Sequence, residues 1–229
     1  MSLEKYREIY SQKRDYSIGV EEEFMICDPS TGNLKNKANE IMSLVSDQDR
    51  YSYELLLSEI EINTPICDNV KESIQFLAKQ RSELKEIGLK ENFRIGVSGT
   101  HPTAKATDQQ FVSNDSYNWV ADQLQYYAKR NITFSTHIHI SVDNPDRAIK
   151  ITNATRRWIP VLLALSSNSP FFEGLNTGFK SSRTMQFGAF PKTNIPVKID
   201  SFETDKRIKE IAKNQPNFKE TNSETKAKE

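Results

Sequence analysis

The chain is predicted to be an α+β protein, an antiparallel sheet with helices covering one face, and three stretches make the prediction. Residues 18–28 (IGVEEEFMICD), 55–63 (LLLSEIEIN) and 133–142 (TFSTHIHISV) each have strand composition with two chemically different rows. Alternate side chains of a strand point to opposite faces. Val20, Phe24 and Ile26 therefore share a face with Glu22, and Glu21, Glu23, Met25 and Cys27 share the other. In the second stretch Glu59, Glu61 and Asn63 lie opposite Ile60 and Ile62. In the third, Ser135, His137, His139 and Ser141 lie opposite Thr136, Ile138, Ile140 and Val142. The apolar rows need cover, and the other face becomes an acidic, histidine-bearing concavity.

Composition sets the outer limits. A chain of 229 residues, 36% of them hydrophobic, can bury one sizeable core and carry a tail. Basic and acidic residues balance at 31 each, which argues against a broad nucleic-acid or membrane surface. No apolar leader or transmembrane run is present, so a cytoplasmic location is expected. Cys27 and Cys67 follow no metal spacing and are expected to be buried, reduced thiols. The N-x-S/T triplets at Asn114, Asn131 and Asn153 are then chance matches.

Taken in order, residues 1–15 suggest a short polar helix, followed by the first strand and a turn at Asp28-Pro29-Ser30-Thr31-Gly32. Residues 38–49 form a brief amphipathic segment, and Pro65 stops the second strand. Asn69 with Glu72 is a capping-box pattern for a helix over 70–88, with Gly88 as its C-cap. A strand over 93–97 ends in Ser98-Gly99-Thr100-His101-Pro102, which lacks the G-x-S-x-G spacing of a nucleophile elbow. His101 has two readings, a loop histidine bonded to backbone, which is favoured, or a group standing just behind the site. Trp119, Val120, Leu124 and Tyr127 mark a helix over 115–130. Asn144 and Pro145 start a helix running to about Ser167, kinked at Pro160. The aromatic, glycine-rich stretch 169–196 is expected to be an ordered loop lining a pocket. Residues 198–229 form a polar tail, disordered from Lys213, so the division is 1–197 and 198–229.

Glu21 and Glu23 lie roughly 6.6 Å apart along one face of a strand. With Glu61 they repel unless something cationic sits among them, and carboxylate oxygens are hard ligands for a divalent cation. A solvated face is the bland alternative for one E-x-E, but three such rows favour a site.

Five blocks occur in one order: Gly-Val-Glu-Glu-Glu-Phe, Ser-Glu-Ile-Glu-Ile-Asn-Thr-Pro-Ile-Cys, Ser-Gly-Thr-His-Pro, Thr-His-Ile-His-Ile-Ser-Val and the run from Leu163 to Arg183. From about Tyr16 to Pro196 the chain resembles the type 2 glutamate–cysteine ligases, or carboxylate–amine ligases. The resemblance implies a glutamine-synthetase-like fold, a curved antiparallel sheet with the active site on its concave face. It implies joining of the glutamate γ-carboxylate to the amine of cysteine or another amine, driven by ATP and Mg²⁺ through a γ-glutamyl phosphate, as in glutathione biosynthesis. By motif, Glu21, Glu23, Glu61 and His137 match metal positions. His137 also lies near phosphate, and His139 is its substrate-proximal neighbour, making the two histidines the candidate nucleotide-binding pair. Arg183 is the candidate catalytic residue, holding a glutamate carboxylate or a phosphate oxygen. The family's Trp-Trp-Asp-x-Arg block and its Leu-Glu-x-Arg strand do not occur in this sequence. A C-terminally truncated fold is therefore expected, with weakened activity and self-association through an exposed sheet edge. A non-catalytic metal- or nucleotide-binding module is the alternative. A zinc hydrolase using His137 and His139 ranks last, because the donors are glutamate-rich.

Overall fold

The computed structural model describes residues 7–8, 10–11, 14–113, 128, 130–188 and 195–202. The expected helix over 115–130 and the disorder expected beyond Lys213 fall outside them, apart from residues 128 and 130. The chain forms two compact units, one from Tyr16–Ile140 with Leu165–Thr193, the other from Met1–Asp15, Ser141–Ala164 and Asn194–Glu229.

The first unit is built on β1, Ile18–Cys27. On one side it pairs with β3 (Glu59–Asn63), which pairs with the two-residue β2 (Tyr51–Ser52). On its other side β1 pairs with β4 (Arg94–Gly96) near its end and with β5 (Thr136–Ile140) near its start. All these pairings are antiparallel. The α+β expectation, an antiparallel sheet backed by helices, therefore describes the structure.

The apolar face is covered by α1 (Ala38–Leu44) and α2 (Val70–Glu91). Val20, Phe24, Ile26, Ile60 and Ile62 of the sheet pack with Ile41, Leu77, Leu84 and Ile87 of the helices. Each such side chain, fully buried, contributes about 1.5–3 kcal/mol of transfer free energy. Glu22 lies on this face too, where both of its carboxylate oxygens bind Arg81 of α2. Asn69 caps α2 by accepting from the Glu72 amide at 3.0 Å. Gly88, by contrast, is inside the helix rather than its cap. The cap is Asn92, at φ 55°, in the left-handed region that short polar side chains tolerate. Glycine is needed at 88 because a Cβ there would stand 2.6 Å from the Phe93 carbonyl oxygen.

Two expectations about strands change. The strand expected over 55–63 is only Glu59–Asn63, because Leu55–Ser58 turns away and Leu55 and Leu56 pack with Met25, Ile132 and Phe134 in a second apolar cluster. The strand expected over 133–142 is Thr136–Ile140, and its apolar row is not covered, with Ile138 67% and Ile140 50% exposed. The covering helix packs chiefly on β1, β3 and β4, and β5 pairs with the start of β1 whereas β4 pairs with its end.

The Asp28 turn closes as its composition suggests, Asp28 Oδ1 accepting from the Ser30 and Thr31 amides at 2.9 and 3.0 Å. His101 is a loop-bonding residue. Its Nε2 is 2.8 Å from the Gly32 carbonyl, and its Nδ1 accepts from the Thr103 and Ala104 amides. The stretch expected as an irregular loop over 169–196 contains a hairpin of β6 (Phe171–Phe172) and β7 (Leu175–Asn176), then α5 (Ser182–Phe187). Residues 189–194 of it lie outside the described set.

In the second unit, Asn144 accepts from the Asp146 and Arg147 amides to start α3, Pro145–Thr155. A 3₁₀ turn at Arg156–Trp158 separates it from α4, Ile159–Ser166, whose last two residues belong to the first unit. The break falls where Pro160 cannot donate to the carbonyl four residues before it. Ile199 is tied to Asn153 by bonds in both directions, at 2.6 and 3.0 Å.

Candidate functional site

The sheet register assembles the site. Glu23 stands directly across from Glu61 in the β1–β3 pairing, with Met25 across from Glu59. Glu21 stands across from His137 in the β1–β5 pairing, with Gly19 across from His139. Residues directly opposite on one face have Cβ atoms about 4.5–5.5 Å apart, and like charges so placed destabilise the pair. The Glu23–Glu61 pair is such a placement, and both side chains are nearly buried.

His137 Nδ1 is 3.1 Å from Glu21 Oε2 and 3.9 Å from Glu23 Oε1. His139 Nε2 is 3.2 Å from the same Glu21 oxygen. Two imidazoles thus converge on one carboxylate, their rings edge to face at 6.5 Å. Burial raises the Glu21 carboxyl, but hydrogen bonding and electrostatic interaction with His139 and then His137 outweigh it, leaving the group below its usual value. Glu23 moves the other way. Its burial outweighs the Ser135 bond and the electrostatic interaction with His137, and Glu61 adds repulsion, so its carboxyl lies above its usual value. Glu59 is only 3% exposed. Burial first, and then the charges of Glu23, Glu54 and Glu61, hold its carboxyl well above the usual range.

Among the described residues, two groups could each hold a cation, Glu21–Glu61–His137 and Glu23–Glu54–Glu61, with ligand atoms in each group within 4.8 Å of one another. Glu61 belongs to both. Glu21 and Glu23, expected to share one ion with Glu61, lie in different groups. The donor sets suit a hard divalent ion, the second group being oxygen alone. Asn63 steadies Glu61, donating from Nδ2 to Oε1 at 3.2 Å while also donating to Ser52 Oγ.

Arg183 reaches this region from α5. Its Nε donates to the Phe134 carbonyl at 3.2 Å, and the guanidinium lies over the Phe187 ring at 4.8 Å. Burial lowers its pKa, offset in part by the charge of Glu23. Gly99 leaves room for it, since a Cβ at 99 would stand 3.1 Å from the Arg183 Cβ.

Every singled-out site residue is therefore on or beside one sheet face. Glu54 was missed. It precedes the second strand, and only the turn at Leu55–Ser58 returns it to Glu61, so strand alternation gave no signal for it. Glu59 was placed on the right face but given no role.

Three comparisons bear on the chain. The family described as glutamate-cysteine ligase family 2 (GCS2) matches residues 17–224, which extends past the resemblance seen in the motifs and into the polar tail. A Rubrobacter xylanophilus protein named "Putative glutamate–cysteine ligase 2-1" is 38% identical over 183 residues, covering 79% of this chain and 49% of that one. The glutamate–cysteine ligase of Haloquadratum walsbyi is 35% identical over 196 residues, covering 82% of this chain and 53% of its own length. The chain thus spans about half the length of the curated relatives it matches. Among solved structures, a bifunctional glutathione synthetase from Pasteurella multocida aligns with a TM-score of 0.61 at 15% identity, over 88% of this chain and 30% of that one. A glutamate–cysteine ligase from Francisella tularensis, in complex with AMP, aligns with a TM-score of 0.59 at 14% identity, over 75% and 43%. These two likenesses show the fold.

Proposed function

This chain belongs to glutamate–cysteine ligase family 2, and on that premise we propose that it carries part of the catalytic site of an ATP-dependent carboxylate–amine ligase. The substrates are glutamate and an amine such as cysteine, and the product is a γ-glutamyl amide. The observation that carries the reading is the double cross-strand register, Glu23 against Glu61 and Glu21 against His137, which gathers two overlapping cation-competent groups on one sheet face.

The residues divide the work by their chemistry. Glu21, Glu61 and His137 would hold one Mg²⁺, and Glu23, Glu54 and Glu61 would hold a second. When bound, the ions would supply positive charge that neutralises nucleotide phosphate oxygens. His139, 62% exposed beside Glu21, stands where nucleotide or substrate approaches. Arg183, its Nε occupied by the Phe134 carbonyl, offers its terminal nitrogens to a glutamate carboxylate or a phosphate oxygen. Stacking on Phe187 and partial burial hold that guanidinium in one orientation. Transfer of the ATP γ-phosphoryl group to the glutamate γ-carboxylate gives an acyl phosphate and ADP, and attack by the amine on the acyl carbon then forms the amide and releases phosphate and a proton. No helix among the described residues is long and apolar enough to cross a membrane. Small-molecule chemistry in the cytoplasm fits this reading.

A second reading, a non-catalytic nucleotide- or metal-binding module, rests on the same two cation-competent groups, which could hold a metal–nucleotide complex without turning it over. Calorimetric titration with Mg-ATP and a coupled ADP-release assay with glutamate and cysteine separate the two. The ligase reading expects binding and ADP release dependent on both amino acids. Binding with no release under any amine supports the module, and no Mg-ATP binding refutes both.

A further inference from the structure

We propose that Ser135 is a positioning residue that sets the ring orientation of His137 and, through it, the Glu21–Glu61–His137 group. The link to cation binding rests on the reading above, whereas the link to the ring does not. Ser135 immediately precedes β5, and its backbone is fixed to β1 from both directions. The Glu23 amide donates to the Ser135 carbonyl at 3.0 Å, and the Ser135 amide donates to Glu23 Oε2 at 2.6 Å. Its side chain shares the site face with His137, two residues on, and Ser135 Oγ lies 3.0 Å from His137 Nε2. The other ring nitrogen, Nδ1, lies 3.1 Å from Glu21 Oε2.

Both nitrogens of this ring are therefore engaged, on opposite edges, by groups on two neighbouring strands. The ring is 47% exposed, so hydrogen bonds rather than packing must hold it. An ionised carboxylate only accepts, so the nitrogen facing Glu21 carries the hydrogen. In the neutral ring Nε2 is then a bare acceptor, and the serine hydroxyl donates to it. The choice of nitrogen is set by the partner of the other one, the usual logic of histidine sites. A hydroxyl also accepts, so the contact survives if Nδ1 turns its lone pair to an ion held by Glu21 and Glu61 and the hydrogen moves to Nε2. Neither a methyl group nor an acceptor-only side chain could serve both arrangements. His139 has no such partner two residues before it, since that position is His137 itself. One serine thus steadies a ligand from each group, Glu23 by its amide and His137 by its hydroxyl. Only the second can be removed by mutation without disturbing the ladder.

Ser135→Ala and Ser135→Thr in the full chain test this. The ring-nitrogen NMR shifts of His137 are assigned against a His137→Asn spectrum, and Mg²⁺ affinity is measured by calorimetry. In cation-free wild-type protein the neutral His137 ring should show the Nδ1–H form. Ser135→Ala should replace it with a mixture of forms and weaken Mg²⁺ binding about 10–100-fold, the usual cost of losing a partner behind a ligand. Ser135→Thr, which keeps the hydroxyl, should restore both. Unchanged His137 shifts in Ser135→Ala would overturn the proposal, as would failure of Ser135→Thr to restore them. If the wild-type chain binds no Mg²⁺, the cation reading falls, while the ring shifts still decide whether Ser135 orients His137.

Discussion

Replacing Glu61 by Gln should make the cation-free protein more stable while removing its response to Mg²⁺. Glu61 is the one carboxylate common to both groups and is 2% exposed. At the 4.8 Å limit of the Glu23–Glu54–Glu61 group, two full charges repel by about 3.5 kcal/mol at an effective dielectric constant of about 20. Local relaxation and residual solvent access make the relief on neutralising Glu61 smaller, about 1–3 kcal/mol. Glutamine keeps an oxygen for the bond from Asn63, which separates the charge effect from a lost hydrogen bond. At roughly 2–4 °C per kcal/mol for a chain of this size, the cation-free Tm should rise by about 2–12 °C. Mg²⁺ at about 100 times its dissociation constant should stabilise the wild type by about 2.7 kcal/mol and leave Glu61→Gln unmoved. Thermal unfolding followed by circular dichroism, with EDTA and then across a Mg²⁺ series, reads both arms. A cation-free Tm below wild type would refute the electrostatic account of the face. A retained Mg²⁺ response would refute the assignment of Glu61 as a shared ligand.

Other consequences are tested more briefly. The native state keeps a proton on Glu59 that the unfolded chain releases near 4.5, so cation-free stability should fall as pH rises from there through the raised native value. Glu59→Gln should flatten that fall and be the more stable form at neutral pH; a parallel pH profile in urea unfolding would count against it. Glu22→Gln should cost only about 1 kcal/mol, because its partner Arg81 is 50% exposed, and should leave Mg²⁺ affinity unchanged. A loss of Mg²⁺ binding in that variant would mean that the two faces of β1 are coupled. Among the described residues β5 pairs with β1 alone and exposes Ile138 and Ile140, an arrangement that templates association. Ile138→Lys should therefore shift sedimentation toward the monomer, and an unchanged distribution would remove that edge as the contact.

The sequence by itself determined which face each strand residue occupies. Side-chain alternation has a period of two and depends on nothing outside the strand. That alone separated Glu22, bound to Arg81 behind the sheet, from Glu21 and Glu23 in front of it. Local capping was equally legible, as Asn69 and Asn144 show, because a cap and its amide lie within three residues. What only the tertiary structure decided was who meets whom. Register between strands distant in the chain put Glu23 against Glu61 and Glu21 against His137, dividing the two first-strand carboxylates between two groups. A turn packed on Met25 brought Glu54 back to Glu61, although nothing in the alternation of 55–63 marks it. The bare apolar row of β5 and the tight Gly88–Phe93 approach have the same origin. Each depends on where another element stops, and pairing and packing between remote segments set that, whereas residue pattern reports only what a segment does along its own axis.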